Sequence, residues 1–498
     1  MTPRELARAG RVWLAVVGLT LAAGRVPAAT YRVTPETVAD VAARLRAGDT
    51  MILADGRYDA LRLEGLRGTA GAPITVQAEN ERRAFIQGTG RCPALDVRNC
   101  SHVHAIGLRV ENADNEQNRD TSNAGVVHLA GCDHCVVRRI LAARPNRWGN
   151  NTGISLGAGT RNSLVEECEL YDFHRNGISI HNAPGATGAR DNTLRRNYVN
   201  ARNAKYLGRR WGPNDGIVMY RGLRNTIENC IVEEVPDKWE HFAAFAAWGR
   251  NNAYYGCIAL RAKQGYIPAT VTNRGDADHV RYEHCLAIGS THNGWAIQTV
   301  LGLAMRNCTA VGNAAEGFSA STGRIEYRDD AFRASLDVEN SLSVNNGGRG
   351  FVVNDLGNFR AVRIDHCGGW SNHRGTWGPG TAGATNALPD RDPRFDGSYI
   401  AVSPKSPCKG AGRDGADVGA SILDRYENGV LTDEPLWDPA TGAFPHGAII
   451  EGVNDVSGQS LFDVHERLGV TPALLAEVRA QRATPAPLAP GSCRAGED

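Results

Sequence analysis

Six cysteines share one short phrase, and its recurrence constrains the fold of this chain more than any other feature. The phrases are Val165-Glu-Glu-Cys168-Glu-Leu170, Ile227-Glu-Asn-Cys230-Ile-Val232, Tyr254-Tyr-Gly-Cys257-Ile-Ala259, Tyr282-Glu-His-Cys285-Leu-Ala287, Met305-Arg-Asn-Cys308-Thr-Ala310 and Ile364-Asp-His-Cys367. Leu194 to Val199 and Val338 to Ser343 continue the series with Asn197 and Ser341 in the cysteine place, at steps of 23 to 33 residues. A second phrase interleaves with the first: Gly153-Ile-Ser-Leu156, Gly177-Ile-Ser-Ile-His181, Gly216-Ile-Val-Met-Tyr220, Gly265-Tyr-Ile267, Gly294-Trp-Ala-Ile-Gln298, Gly317-Phe-Ser-Ala-Ser321 and Gly350-Phe-Val-Val-Asn354.

Each phrase is a short strand, apolar at alternate positions and bounded by Asn, Gly and Asp. Stacked in register, such strands bury one continuous core along an axis, whereas helical repeats would need longer stretches of 3.6-residue period. The pattern predicts an all-β, single-stranded right-handed parallel β-helix, a solenoid with one coil per step. The cysteines then form an inward ladder of small side chains. Cys132-Asp-His-Cys135 has half the spacing of a zinc site, but no second pair stands nearby, so it reads as a turn between coils. Cys92 with Cys100, and Cys408 with Cys493, are left as candidate disulfides.

A solenoid must cover its ends. Thr34-Pro35-Glu36 starts a helix whose Val38, Val41, Ala42 and Leu45 form an apolar stripe, the N-terminal capping helix. The segment from Cys408 to Val470 is non-repetitive and is expected to fold back on the coils as a C-terminal cap, with a short helix from Thr471-Pro472 through Arg482. The expected organisation is a signal peptide over 1–29, the β-helix over 30–400, the capping segment over 401–484 and a disordered tail over 485–498. Arg4, Arg8 and Arg11, the apolar run Val12 to Ala23 and the small residues of Val26-Pro27-Ala28-Ala29 read as an export signal. That run is too short to span a bilayer, so the protein is expected to be secreted or periplasmic, without membrane insertion. With 55 basic and 54 acidic residues, no general charge argues for nucleic acid as partner.

Gly48-Asp49-Thr50-Met-Ile-Leu-Ala-Asp55-Gly56-Arg-Tyr58, followed by Gly68-Thr69-Ala-Gly71-Ala-Pro73-Ile74-Thr75-Val-Gln-Ala78 and Ile86-Gln-Gly88, resembles the opening coils of the chondroitinase-B and alginate-lyase family of polysaccharide lyases. Similar openings occur in pectate lyases and polyuronate epimerases. The resemblance spans about forty residues and implies a carbohydrate-active β-helix. In the chondroitinase-B family a Lys and an Arg carry the elimination beside a calcium held by Asn and Glu, on a Lys-Ser-containing strand. No such strand occurs here, nor the Asp-Pro-His-Asp phrase of the periplasmic mannuronan epimerases or the paired aspartates of polygalacturonases. The family's site residues are therefore not carried over.

Strand alternation points Ile178, Ile180, Ile217 and Met219 inward and turns His181 and Tyr220 outward as neighbours on adjacent coils, about 5 Å apart. A His and a Tyr so placed suit β-elimination from a uronate: one removes the C5 proton, the other protonates the leaving glycosidic oxygen. The same coils carry the longest insertions. Ala201 to Asp215 brings Lys205, Tyr206, Arg209, Arg210 and Trp211, while Pro236 to His241 brings Lys238, Trp239, Glu240 and His241.

Arg210 and Lys238 join His181 and Tyr220 as candidate catalytic groups. Lys205, Tyr206, Arg209, Trp211, Trp239, His241, Lys263 and Tyr266 are candidate substrate contacts, the cations for a carboxylated sugar and the aromatic rings for its faces. Asp172 and His174, just ahead of the His181 strand, read first as turn residues. Neutralising the substrate carboxylate calls for arginine or calcium. Asp215, Glu233, Glu234, Asp237 and Glu240 offer oxygen ligands without an ordered calcium-loop spacing, so calcium is a candidate cofactor with no assigned ligand set.

The expected function is a lyase acting on an acidic, uronate-containing polysaccharide. Two alternatives stand beside it: a glycoside hydrolase or epimerase using carboxylates, with Asp215 and Glu240 as acid and base, and a carbohydrate-binding solenoid without turnover. Clustering of charge and aromatics between Phe173 and Tyr266 favours an enzyme.

Overall fold

The computed structural model describes residues 27–90, 93–113, 124–144, 152–173, 175–181, 188–200, 215–233, 243–269, 279–298, 300–321, 334–395, 397–444 and 464–480. Each circuit of the chain lays one strand into each of three parallel sheets, here called A (13 strands), B (12 strands) and C (11 strands). One coil shows the order: Leu164–Glu166 in A, Glu169–Tyr171 in B, Asn176–His181 in C. The solenoid predicted from the repeats is this parallel β-helix, running from Thr30–Val33 to Gly368–Trp370.

The corner from A to B takes only two residues, from Gly107-Leu108 through His366-Cys367. The first is left-handed, as at Glu167, Arg196, Asn229, Gly256, His284 and Asn307. For a residue with a Cβ this costs roughly 1–2 kcal/mol, offset by the packing that the sharp corner makes possible. The second residue points inward: Cys168, Asn197, Cys230, Cys257, Cys285 and Cys308, all buried. A small side chain fits there and reaches the carbonyl of the preceding coil. Thus the Sγ atoms of Cys230, Cys257 and Cys285 each lie 3.5 Å from the carbonyl oxygens of Leu194, Ile227 and Tyr254. Asn197 fills the same place with stronger bonds, donating to the Val165 carbonyl at 2.9 Å and accepting from the Cys168 N–H at 3.0 Å.

Two further ladders hold the other corners. Between C and A, Asn192 donates through Nδ2 to Asn225 Oδ1 (3.1 Å), and Asn225 to Asn252 (3.2 Å). Between B and C, Asn313 donates to Asn346 and Asn346 to Asn372, each at 2.8 Å. All six asparagines are buried or nearly so, and each link satisfies polar atoms that burial would otherwise penalise.

The core is layered in register. In sheet C, Phe245, Tyr266, Trp295, Phe318 and Phe351 stack face on face with centroids 4.5–4.9 Å apart, and Trp377 extends the stack by 5.2 Å. Tyr266 is therefore a core residue, not a substrate contact. It pairs in register with Phe245, which pairs with Ile217, and its hydroxyl donates to the Cys257 carbonyl at 2.7 Å. The residue after the phrase glycine faces inward here, as Ile178 and Ile217 do on their own coils.

At the front, α1 (Val38–Ala42) buries Val38, Val41 and Ala42 on the first coil. At the back, the chain beyond Trp370 does not lie over the end alone. Ile400, Val418, Ile422, Trp437 and Phe444, with α2 (Val464–Leu468) and α3 (Pro472–Ala480), pack along the outer face of sheet B against Leu141, Tyr171, Tyr198, Ile231, Ile258 and Leu286. Ion pairs fasten this flank: Arg467 Nε and Nη2 donate to the two oxygens of fully buried Glu233 at 2.9 and 2.7 Å, and Arg196 Nη1 to Glu427 at 2.6 Å. Cys100 and Cys408, each half of a candidate disulfide, are buried free thiols. Cys92, Cys493, the 1–26 stretch and the tail from 481 lie outside the described residues.

Candidate active site on sheet C

The long insertions of this chain are not spread around the coil. Segments 114–123, 145–151, 201–214 and 234–242 join sheet B to sheet C, and 182–187, 270–278 and 322–333 join sheet C to sheet A. All therefore begin and end at the two edges of sheet C, whereas the A-to-B corner carries none beyond its first coils. Loops on a rigid scaffold carry function, so the outer face of sheet C is the candidate site.

Two outward rows cross that face. One runs Asp96, His128, Ser155, Ser179, Val218, Ala246, Ile267 in register. It is polar at one end and apolar at the other, where Tyr220 and Trp248 pack on Val218, Ala246 and Ile267. The second row holds His181, Tyr220 and Trp248. The His181 and Tyr220 rings meet edge to face at 5.7 Å, and the Tyr220 and Trp248 rings are 4.8 Å apart. The structure thus brings His181 and Tyr220 together on adjacent strands, both half-buried. Burial foremost, then the positive charges of Arg175 and Arg221, hold the His181 imidazole below the ordinary histidine pKa. His181 is accordingly neutral near pH 7, the form that accepts a proton.

The strand Asp215–Leu223 carries a bulge between Tyr220 and Leu223, with Arg221 left-handed at φ 59°. Bulges re-aim side chains beside functional sites. Asp215 heads this strand, in register with Asn176; it is buried, its Oδ1 accepts the Ala243 N–H at 3.3 Å, and its Oδ2 lies 3.4 Å from the Tyr220 hydroxyl. Thr152 and Asn176 head the two preceding strands. Thr152 Oγ1, Asn176 Oδ1 and Ser179 Oγ are buried with no hydrogen-bond partner among the described residues.

Of the other predicted residues, Lys263 sits at the edge between B and C, in the turn before Gln264–Pro268. His174, Lys205, Tyr206, Arg209, Arg210, Trp211, Glu234, Asp237, Lys238, Trp239, Glu240 and His241 lie outside the described residues. Glu233, considered as a metal ligand, faces away from sheet C, held by Arg467, Arg261 and Tyr198. Among the described residues, no three His, Cys, Asp or Glu side chains gather as a metal site. Sequence reasoning missed Arg175, Arg221 and His128. The two arginines adjoin the phrase strands rather than standing in the loops, and Arg221 directly follows Tyr220.

Comparison with known proteins supports the fold. A family model described as a right-handed β-helix region matches residues 85–259. Among solved structures, a point mutant of the polysaccharide lyase family 6 alginate lyase AlyGC is 14% identical with a TM-score of 0.50, over 83% of this chain and 60% of its own. A family 6 polysaccharide lyase from Pseudopedobacter saltans is 12% identical (TM-score 0.42; 71% of this chain, 88% of its own). A glycoside hydrolase family 136 lacto-N-biosidase from Eubacterium ramulus is 13% identical (TM-score 0.44; 72% and 67%). No curated protein sequence matches the chain. At these identities the likeness establishes the right-handed parallel β-helix and leaves the reaction to the site.

Proposed function

We propose that the protein is a polysaccharide lyase that cleaves a uronate-containing chain by β-elimination on the outer face of sheet C. The observation that carries this reading is the neutral His181 beside Tyr220, on an outward row flanked by Arg175 and Arg221. His181 takes the proton from C5 of the uronate, the electron pair forms the C4–C5 double bond, and the C4–O bond breaks. Tyr220 returns a proton to the departing glycosidic oxygen. Negative charge grows on the carboxylate as C5 is deprotonated, and the guanidiniums of Arg175 and Arg221, whose charge is felt at His181, would offset it. Trp248 extends the aromatic row toward the next sugar. The fold-level likeness to an alginate lyase agrees with an acidic polysaccharide as substrate, and the N-terminal apolar run agrees with action outside the cytoplasm. A calcium ion remains part of the proposal only through the acidic residues of the loops.

The test is a panel of acidic polysaccharides incubated with the purified protein while ultraviolet absorbance of the new double bond is followed. A rise that disappears in His181→Ala and Tyr220→Phe supports the reading. New reducing ends without absorbance would replace it with hydrolysis, and full activity in both variants would remove these residues from the site.

A further inference from the structure

Where sheet C turns toward A, beside the row of His181, Tyr220 and Trp248, a third row runs along the edge and the His181 chemistry does not use it. Asp133, Arg161, Arg190, Leu223 and Arg250 follow one another there in register, one per coil. Two arginines of this edge are already matched by carboxylates. Arg161 Nη2 donates to Asp133 Oδ2 at 2.7 Å, and Arg224, next to Leu223, donates to the two oxygens of Asp191 at 2.7 and 2.8 Å. Arg190 Nε stands 3.6 Å from Asp191 Oδ2, beyond hydrogen-bond distance. Arg250 is exposed, and its guanidinium has neither a hydrogen bond nor an ion pair among the described residues.

The strand Ala243–Arg250 decides where that charge is presented. Phe245 and Ala247 belong to the core, and Gly249 follows them inward; a Cβ there would stand 2.2 Å from the Gly222 carbonyl oxygen, so the strand lies tight on its neighbour. Alternation then turns Trp248 and Arg250 to the same outer face, about 6.6 Å apart along the strand. The neighbouring strand bulges between Tyr220 and Leu223, which keeps Tyr220 in register with Trp248 and Leu223 in register with Arg250. In this row the coil before Arg161 supplies an aspartate, and the coil before Arg250 supplies a leucine. The guanidinium is thus left beside a half-buried indole with no carboxylate next to it in the row. A pyranose lying on Trp248 can extend its carboxylate to Arg250, which suits bidentate recognition of that group.

We propose that Trp248 and Arg250 form a subsite for a second uronate, one coil beyond Tyr220, in which the indole supports the sugar ring and the guanidinium holds its carboxylate. The inference rests on the uronate reading above and deepens it: the substrate carries a carboxylate on a sugar that does not react. Arg250 is then a specificity-determining residue, because a neutral sugar could stack on Trp248 equally well but would offer the guanidinium no charged partner.

The test is calorimetry on the His181→Ala protein, which does not consume its ligand, with uronate oligosaccharides and the same oligosaccharides after reduction of their carboxyl groups. Adding Arg250→Gln should weaken the uronate about tenfold and the reduced sugar by less than about twofold, the loss expected when a hydrogen-bonded charge pair is removed. Arg250→Lys should recover part of that loss, and Trp248→Ala should weaken both sugars. Arg67→Gln, at the far end of the same row, should change neither. Circular dichroism confirms the fold of each variant. Unchanged uronate affinity in Arg250→Gln, or a loss shared equally by the reduced sugar, would overturn the subsite. An equal loss in Arg67→Gln would also overturn it, by tracing the effect to overall charge. No uronate binding by the His181→Ala protein itself would instead overturn the uronate reading, and the subsite with it.

Discussion

The corner between sheets A and B and the two edges of sheet C belong to the same coils yet follow opposite rules. At the first, each described coil from Gly107 onward turns in two residues, the first left-handed and the second inward and, from Cys168 onward, small, and the thiols reach back to the coil before. At the second, connections vary from a few residues to the fourteen of 201–214, and the sheet between them carries half-buried histidine, tyrosine and tryptophan. A solenoid gains its stability from repetition, so it can hold variation on one side while the other sides stay regular. The difference between the two regions is a division of labour: the A–B corner and the asparagine ladders make the scaffold, and the outer face of sheet C carries the proposed site.

That division breaks down if substitutions on the two sides have similar consequences. His181→Ala should lower turnover by about 10²–10⁴-fold, the usual loss of a general base, with the melting temperature nearly unchanged. The pH profile sharpens the assignment. Because burial and two arginines lower the His181 pKa, the base stays neutral to a lower pH than a free histidine, so the acid limb of kcat/KM should have its midpoint below the model-peptide value of about 6.5. Arg175→Gln should move that midpoint upward.

On the flank, Glu233→Leu strands Arg467 and Arg261 without their buried partner and should cost about 3–5 kcal/mol in denaturant unfolding. Asn225→Ala, in the ladder between C and A, should cost about 1–3 kcal/mol, since it leaves the Asn192 side chain and its N–H without an acceptor. Cys230→Ala, at the A–B corner, should be the mildest, about 1 kcal/mol, with turnover within twofold. Burial raises the Cys168, Cys230 and Cys367 thiols to about 12, so these should resist alkylation in the native protein and react only on unfolding. Reaction of native Cys230 at an ordinary thiol rate would show that the corner is not the closed ladder described.

The scaffold was legible because its rule is local and repeated. Cys168 to Cys367 announce the A–B corner, and Asn197 and Ser341 stand in the ladder as their spacing indicates. His181 and Tyr220 follow from the inward Ile178, Ile180, Ile217 and Met219. The same alternation puts Tyr266 inside; grouping it with the loop aromatics ignored its place directly after Gly265. The asparagine ladders were hidden because a buried asparagine and a turn asparagine look alike in sequence: each of Asn192, Asn225 and Asn252 precedes a strand, where a turn is expected. His128 was hidden by a shift of one place. Val127, not Val126, pairs with Ile154, so Gly125 aligns with Thr152 and the strand falls outside the glycine-led series. The course of the C-terminal segment along sheet B depends on contacts more than 200 residues apart in sequence, such as Arg467 with Glu233, which no local pattern encodes.

The most direct test of the central claim is to run the reaction in water enriched in oxygen-18 and weigh the products by mass spectrometry. Elimination makes the new ends without adding water, so the account predicts unsaturated uronate products with no heavy oxygen from bond cleavage, and their loss in His181→Ala. Products saturated at C4–C5 with one heavy oxygen at each cleaved bond would contradict it and mark the outer face of sheet C as the site of a hydrolase.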